Sequence, residues 1–516
     1  MALSFKEMVF VCLIAAAIFR LAKPIALRFS TQEDFSRRRN AWFALTAAAF
    51  LSPNFWLFAV VAIPVLTTAG RKDSNPGAFY LFLLSVIPSI SITIPMVGIS
   101  RLFEVDNYML LSIFVMAPAA LRMRKSKQYH ASGRLRTMDT FLLCYGILTA
   151  FFYLQPEVSR GVLAAFTVTD AIRRALVFFI ATYIPYWVIS RSILSRKVLV
   201  EDFAAFILAC AVMAGVAVFE SASHWLLFGE MAERWGEGNS FSSYYWRGNS
   251  LRAMASAGHP LALGYLLAVA FGFWLYLQSH SIPTRHRIGG ILLLWLGLLA
   301  TYSRGPWLIA CCIFLVYQLL VPRAWSRFFK AAAIAGMAAV VISFTPLGDK
   351  IVDALPFFHN SPEDASVVYR HRLLDRTWQV IQENPILGDQ EVLLKLQDLR
   401  QGEGIIDVVN SYVNVLLGSG FVGLSFMLGF ILLGALKAWA LSRRIADVDA
   451  DFSKMGASLV ACILGTLLMM VDGSFGTGLE RMFYVLGAFA GGYAYLGRSR
   501  QALADLAHAQ VNGAKL

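Results

Sequence analysis

The chain has 516 residues, 58% of them hydrophobic and only 15% charged, which is more apolar side chain than a soluble core of that length can bury. Its formal net charge of +13 does not mark a nucleic-acid binder, because the basic residues cluster in short loops between apolar runs. The class is an all-α, polytopic membrane protein.

Runs able to cross a bilayer are drawn at 8–22, 41–66, 78–98, 108–121, 138–155, 175–190, 203–222, 259–279, 288–301, 305–321, 331–346, 411–438, 455–471 and 482–496, roughly 12 to 14 helices. The first lacks a small-residue cleavage site followed by a soluble domain, so it reads as a retained helix. Loops at 122–136, 191–197, 285–287, 323–330 and 437–444, with the tail after Gly497, are basic. The positive-inside rule then puts them in the cytoplasm and the loops at 221–258 and 347–410 on the other side. One conflict arises, because Lys23 to Arg39 and Arg71-Lys72 are both basic although a single run separates them. Either Trp42 to Thr67 is a re-entrant pair broken at Ser52-Pro53-Asn54, or one loop departs from the rule. Cys12, Cys144, Cys210, Cys311, Cys312 and Cys462 all fall inside apolar runs, a pattern that implies neither a disulfide framework nor a thiolate metal site.

Residues 1–200 read as transmembrane scaffold with few polar groups at membrane depth; 201–516 carries the long loops and the unusual polar residues, which by default mark function. The loop from Ser221 to His259 mixes Trp225, Trp235, Tyr244, Tyr245 and Trp246 with charged residues, a composition that suits the headgroup level or a sugar face. Arg252, His259 and Pro260 then enter a helix. The turn Thr301-Tyr-Ser-Arg-Gly-Pro-Trp-Leu308 places Arg304 between two runs, where it either snorkels to headgroups or meets an anion beside the free amides of a new helix. In the 347–410 loop, Val367 to Glu383 reads as a helix with Val367, His371, Leu374, Trp378 and Ile381 on one mainly apolar face. Asn384-Pro385 stops it. Arg370, Arg372 and Arg376 on this helix suit either a solvated basic face or phosphate capture. Asp447, Asp449 and Asp451 imitate a metal-binding aspartate pair, but their basic flanks mark a solvated charge run in a cytoplasmic loop.

Four elements in order resemble the O-antigen ligase and Wzy-type polymerase superfamily: Arg252-Ala with Gly258-His259-Pro260 and Gly264; Thr301-x-Ser303-Arg304-Gly305; a long loop with Arg370 to Arg376, Trp378, Asn384-Pro385 and Gly388; and Asn410 followed by Gly418-x-Gly420-x-x-Gly423-Leu424. The resemblance covers about residues 245–430. It implies a GT-C-like helical fold at the bacterial inner membrane with its active site facing the periplasm. It also implies transfer of glycan from undecaprenyl diphosphate to a glycan or lipid-linked acceptor hydroxyl, without metal, cofactor or nucleotide sugar. Ligases commonly carry histidine at the end of the loop, where this chain has Gly404-Ile-Ile-Asp407-Val-Val-Asn410, and that departure favours a polymerase over a ligase.

Diphosphate is a good leaving group, so such a site needs positive charge fixed in a dry setting more than a strong acid. Arg252, Arg304, Arg370, Arg372 and Arg376 are the diphosphate candidates. Asp407, His371, Asp389 and Glu403 are the candidates to align or deprotonate the acceptor, and His259, Trp378 and Asn410 are candidate substrate contacts. A lipid-linked oligosaccharide transporter is the rival class, but it should show related halves and polar residues near mid-membrane, and the polar groups here collect at one face.

Overall fold

The computed structural model describes residues 4–88, 90, 92–94, 104–127, 129, 133–152, 157–159, 162–164, 168–236, 245–247, 249–280, 282–321, 365–389, 392–400, 406, 408–473 and 479–513. These form an all-α bundle with three two-stranded ribbons. In the first half lie α1 (Phe5–Phe29), α2 (Gln32–Leu51), α3 (Phe55–Lys72), α4 (Pro76–Leu83), α5 (Asn107–Leu111), α6 (Ala117–Ser126), α7 (Gly133–Phe152), α8 (Val168–Phe178) and α9 (Ile184–Ser192). The second half holds α10 (Arg196–Ser223), α11 (Gly229–Arg234), α12 (Pro260–Leu277), α13 (Thr284–Ala300), α14 (Arg304–Leu320), α15 (Ala365–Glu383), α16 (Val392–Lys395), α17 (Ser411–Arg444), α18 (Ala450–Asp472) and α19 (Leu479–Gly513).

Polar caps set the breaks in the first half. Thr31 accepts from the Asp34 amide at 3.1 Å to start α2, and Asn54 accepts from the Leu57 amide at 2.9 Å to start α3. α2 and α3 pack together as a hairpin turning at Ser52-Pro53-Asn54. Its open end is closed by Arg38, which donates to both oxygens of Asp73 at 2.9 and 2.7 Å. The two basic stretches therefore share one end of this hairpin. Glu201 joins Arg38 at 2.9 Å and Asn75 donates to Asp202 at 2.9 Å, so the half read as polar-poor scaffold holds a buried ionic network. Glu201 and Asp202 lie more than a hundred residues from Arg38, Asp73 and Asn75 in sequence, beyond the reach of any local pattern.

Among the described residues, seven helices are long and apolar enough to cross a membrane: α1, α3, the α8–α9 unit from Ala171, α10, α12, α17 and α18. The chain is a multi-pass membrane protein, with fewer clear spans than the apolar runs suggest. The run at 108–121 is interrupted by a π-helical turn at Ser112–Met116, whereas the similar turn at Phe179–Tyr183 lies within the α8–α9 unit and does not end it. The run at 331–346 lies outside the described residues. α12 is buried almost all round and forms the centre, and Gly272 on it leaves room for Cys462 of α18 and Ile313 of α14. Alternating helix directions bring Ser223, Pro260, Ala300, Arg304, Ser411 and Asp472 to one end, here the site end. At the opposite end Arg196 pairs with Asp451 and, at 3.6 Å, with Asp449, whose side chain also caps α18 through the Phe452 amide at 2.9 Å.

α15 starts and stops as its sequence predicts, but its buried face is a different one. His371 is exposed, as are Leu374 at 45% and Trp378 at 53%. Leu373, Thr377, Val380 and Ile381 point inward, in a small separate core with Leu396 and Leu399 and with Val413 and Leu417 of α17. Thr377 can sit there because its hydroxyl donates to the Leu373 carbonyl at 2.6 Å, leaving no polar group bare. Two apolar stripes lie side by side on this helix, and only the neighbour decides which is covered.

Candidate active site

The site is built first on the strap between α11 and α12. Trp246–Arg247 pairs antiparallel with Ser250–Leu251, and the Arg252 amide donates to the Tyr245 carbonyl at 2.6 Å, continuing the turn. Ala253 N–H then donates to the Ala300 carbonyl at the end of α13, at 3.0 Å. Glu220, buried near the end of α10, accepts from Met254 and Ala255 amides at 3.0 and 2.8 Å with one oxygen and from the Leu227 amide at 3.0 Å with the other. Three charge-assisted bonds to backbone donors make it the clamp that fixes the strap. Ala255 follows at φ 43, a left-handed conformation that persists in a non-glycine residue only where the surroundings enforce it.

Held this way, Arg252 donates from Nη2 to Ser303 Oγ at 2.7 Å and from Nε to the Thr301 carbonyl at 3.3 Å. Burial, then the neighbouring Arg247, pulls its pKa down to about 10, so it remains a cation at neutral pH. Arg247 itself donates to the Tyr302 carbonyl at 3.0 Å. Both arginines therefore grip the α13–α14 turn, whose Tyr302 is also left-handed at φ 46. α14 then starts directly at Arg304, with Ser303 as N-cap residue.

Gly305, in the first turn of α14, has no room for a side chain, because a Cβ would run into Oδ2 of Asp472. Asp472 is the last residue of α18, and its Oδ1 receives Nη1 of Arg370 from α15 at 2.5 Å. The structure thus gathers Arg252, Arg304 and Arg370 at the site end with Asp472. Among the described residues Asp472 is the carboxylate that faces this group, and sequence reasoning did not select it. A signal existed: an aspartate closing an apolar helix opposes the negative C-terminal end of the helix dipole and needs cations nearby to compensate.

Of the other candidates, His259 and Asn410 cap helices at the site end, and the rest of those described lie on the loop. Arg376 donates to Asp398 at 3.0 and 3.4 Å and Arg372 approaches the same carboxylate at 3.6 Å. This pairing holds the Asp398 pKa below the usual carboxylate range. Asp389 is bound by Lys395 at 2.5 Å and Asn384 at 3.3 Å. His371 and Trp378 lie on the exposed face of α15. Asn410 caps α17, accepting from Tyr412 and Val413 amides at 2.9 and 3.2 Å. His259 caps α12 through Nδ1, which accepts from the Leu261 amide at 3.2 Å. That bond leaves the proton on Nε2, and burial, with Arg252 nearby, lowers its pKa to about 4. Asp407 and Glu403 lie outside the described residues.

The glycine motifs also have a mechanical use. α17 kinks at Gly420 (φ 60), and the turn Pro385 to Gly388 docks into the kink. Phe421 and Val422 amides donate to Pro385 and Ile386 carbonyls at 2.9 and 3.2 Å, and the Asp389 amide donates to the Leu417 carbonyl at 2.7 Å. The backbone groups freed by the kink are thereby satisfied, and α15, which carries Arg370, is tied to the top of α17. Among the described residues, no group of three or more His, Cys, Asp or Glu is placed to hold a metal ion.

Residues 289–428, from within α13 through α14 and α15 to the first half of α17, match the O-antigen ligase family model, Wzy_C, a family of O-antigen ligase/polymerase-type membrane glycan transfer. No curated protein matches the chain. Arg304 and Arg370 lie inside the matched segment; Arg252 and Asp472 are brought to it from outside.

Proposed function

We propose that the protein transfers glycan from an undecaprenyl-diphosphate carrier to an acceptor hydroxyl at the periplasmic face of a bacterial inner membrane, as a Wzy-type polymerase of exopolysaccharide or O-antigen. The observation that carries this reading is the convergence of Arg252, Arg304 and Arg370 at one end of a membrane bundle. A diphosphate whose lipid tail stays in the bilayer has to arrive at such an end. As the glycosyl bond breaks, negative charge grows on the leaving phosphate, and guanidinium groups fixed beforehand stabilise it without reorganising. These cations would supply the charge that a metal supplies in other transferases. Arg252 is held for this task by Ser303 and by the strap that Glu220 clamps.

The second reading is ligation of finished polysaccharide to lipid A-core, which the description of the matched family favours. The polymerase reading is supported by the residues ahead of α17, where ligases commonly carry histidine and this chain has Ile405-Ile406-Asp407-Val408. Purified protein in detergent, given lipid-diphosphate-linked repeat units with or without lipid A-core and with or without chelator, separates the two. A ladder of lengthening products from repeat units alone, insensitive to chelator, is the expected result. Products only with lipid A-core would establish the ligase, and no transfer in either case would remove the enzymatic reading.

A further inference from the structure

We propose that Asp472 is the base for the acceptor hydroxyl, and that the incoming diphosphate sets it free by taking its place on Arg370. This inference rests on the glycosyl-transfer reading and assigns that site a residue and a sequence of events.

Three observations converge on Asp472. Its position at the C-terminal end of α18 is unfavourable for a carboxylate, so nearby cations have to hold its charge there. Arg370 does so from α15 at 2.5 Å, and the charge of Arg252 acts on it from the strap. On the α14 side it lies against Gly305, next to Arg304, where a side chain would displace it. Meanwhile Asp389 and Asp398 are committed to Lys395 and to Arg372 and Arg376, away from this group.

The Arg370–Asp472 pair is also built to be exchanged. Its side chains are 47% and 25% exposed, and an ion pair so open to water is weak. A diphosphate brings more charge and more acceptor oxygens to the same guanidinium and can bind it at two points. Once displaced, Asp472 remains beside Gly305, adjacent to the arginines on the diphosphate. In the transfer step the acceptor hydroxyl gives its proton to an Asp472 oxygen while its own oxygen bonds to the anomeric carbon. The bond from that carbon to the phosphate oxygen breaks, and its electron pair leaves on the diphosphate, where Arg252, Arg304 and Arg370 meet the added charge.

The test uses the purified full chain in nanodiscs, with undecaprenyl diphosphate as the binding probe and a lipid-diphosphate glycan as the donor. With its competitor removed, Asp472→Asn is expected to bind the probe as tightly as the unaltered protein or up to about tenfold tighter, while transfer falls about a hundredfold or more. Asp472→Glu is expected to bind normally but to transfer at least about tenfold more slowly, because the base then misses a fixed proton. Loss of binding together with transfer in Asp472→Asn would make Asp472 only a counter-ion that arranges the arginines, and near-normal transfer in it would remove it as base. Should Asp472→Asn not accumulate, full transfer by Asp472→Glu overturns the proposal on its own. A protein that binds no probe and transfers nothing before substitution fails at the functional reading, and the inference falls with it.

Discussion

Arg304 and His259 show how much one atom's partner decides. If Arg304 grips phosphate with its planar fork, lysine keeps the charge and loses the second contact. Arg304→Lys should then be nearly as damaging as Arg304→Ala. Each charge-assisted bond lost costs roughly 1.5 to 3 kcal/mol, about one to two decades in rate. Glycan produced per unit of membrane protein in a deletion strain is the measurement, and near-normal output from lysine would mean that Arg304 only snorkels. His259 makes a different prediction. Its folded pKa of about 4 lies below the ordinary 6.5, so between these values the unfolded chain binds a proton that the folded one does not. The stability it contributes is complete above pH 6.5 and is lost as the pH falls toward 4. His259→Asn keeps an N-capping oxygen and should flatten that part of the curve of thermal midpoint against pH. An unchanged slope would place the acid sensitivity elsewhere.

The kinked helix α17 is the element on which the loop subdomain depends. At Gly420 a Cβ would strike the backbone of Ile386 and Leu387, and φ is 60. Alanine there faces both a strained conformation, costing about 1 to 3 kcal/mol, and a collision that no side-chain movement relieves. Gly418, two residues earlier, has nothing within reach of a Cβ. Gly420→Ala should therefore lower the thermal midpoint by several degrees and expose α15 to protease, whereas Gly418→Ala should leave both unchanged. Equal effects at the two positions would mean that the motif serves a ligand and not the docked turn. The same junction explains why Asn384-Pro385 does more than stop α15: the Pro385 carbonyl accepts a bond from the α17 kink.

For the whole molecule, the arrangement places the arginine group and the aspartate run at opposite ends of one bundle. In a cysteine-free background, cysteines at exposed Gln382 and at Val448, which is 79% exposed, should label from opposite sides of the membrane. Labelling of both from the same side would break the correspondence between helix direction and topology and, with it, the proposed approach of donor to site. Period, charge and capping are local properties, and with composition they established from the sequence alone the membrane class, the helical architecture, the ends of α15 and the turn that begins α14 at Arg304. The order of four short motifs carried the family resemblance for the same reason. What only the tertiary structure decided depends on groups distant in sequence. Arg370 meets a carboxylate 102 residues away, at the end of α18. Glu220 reaches a strap 34 residues on. The covered stripe of α15 is chosen by α17, not by α15 itself. Sequence spacing specifies which side chains share a helix face; which faces meet is set by how the remaining helices pack, and the assembly of this site depends on that packing.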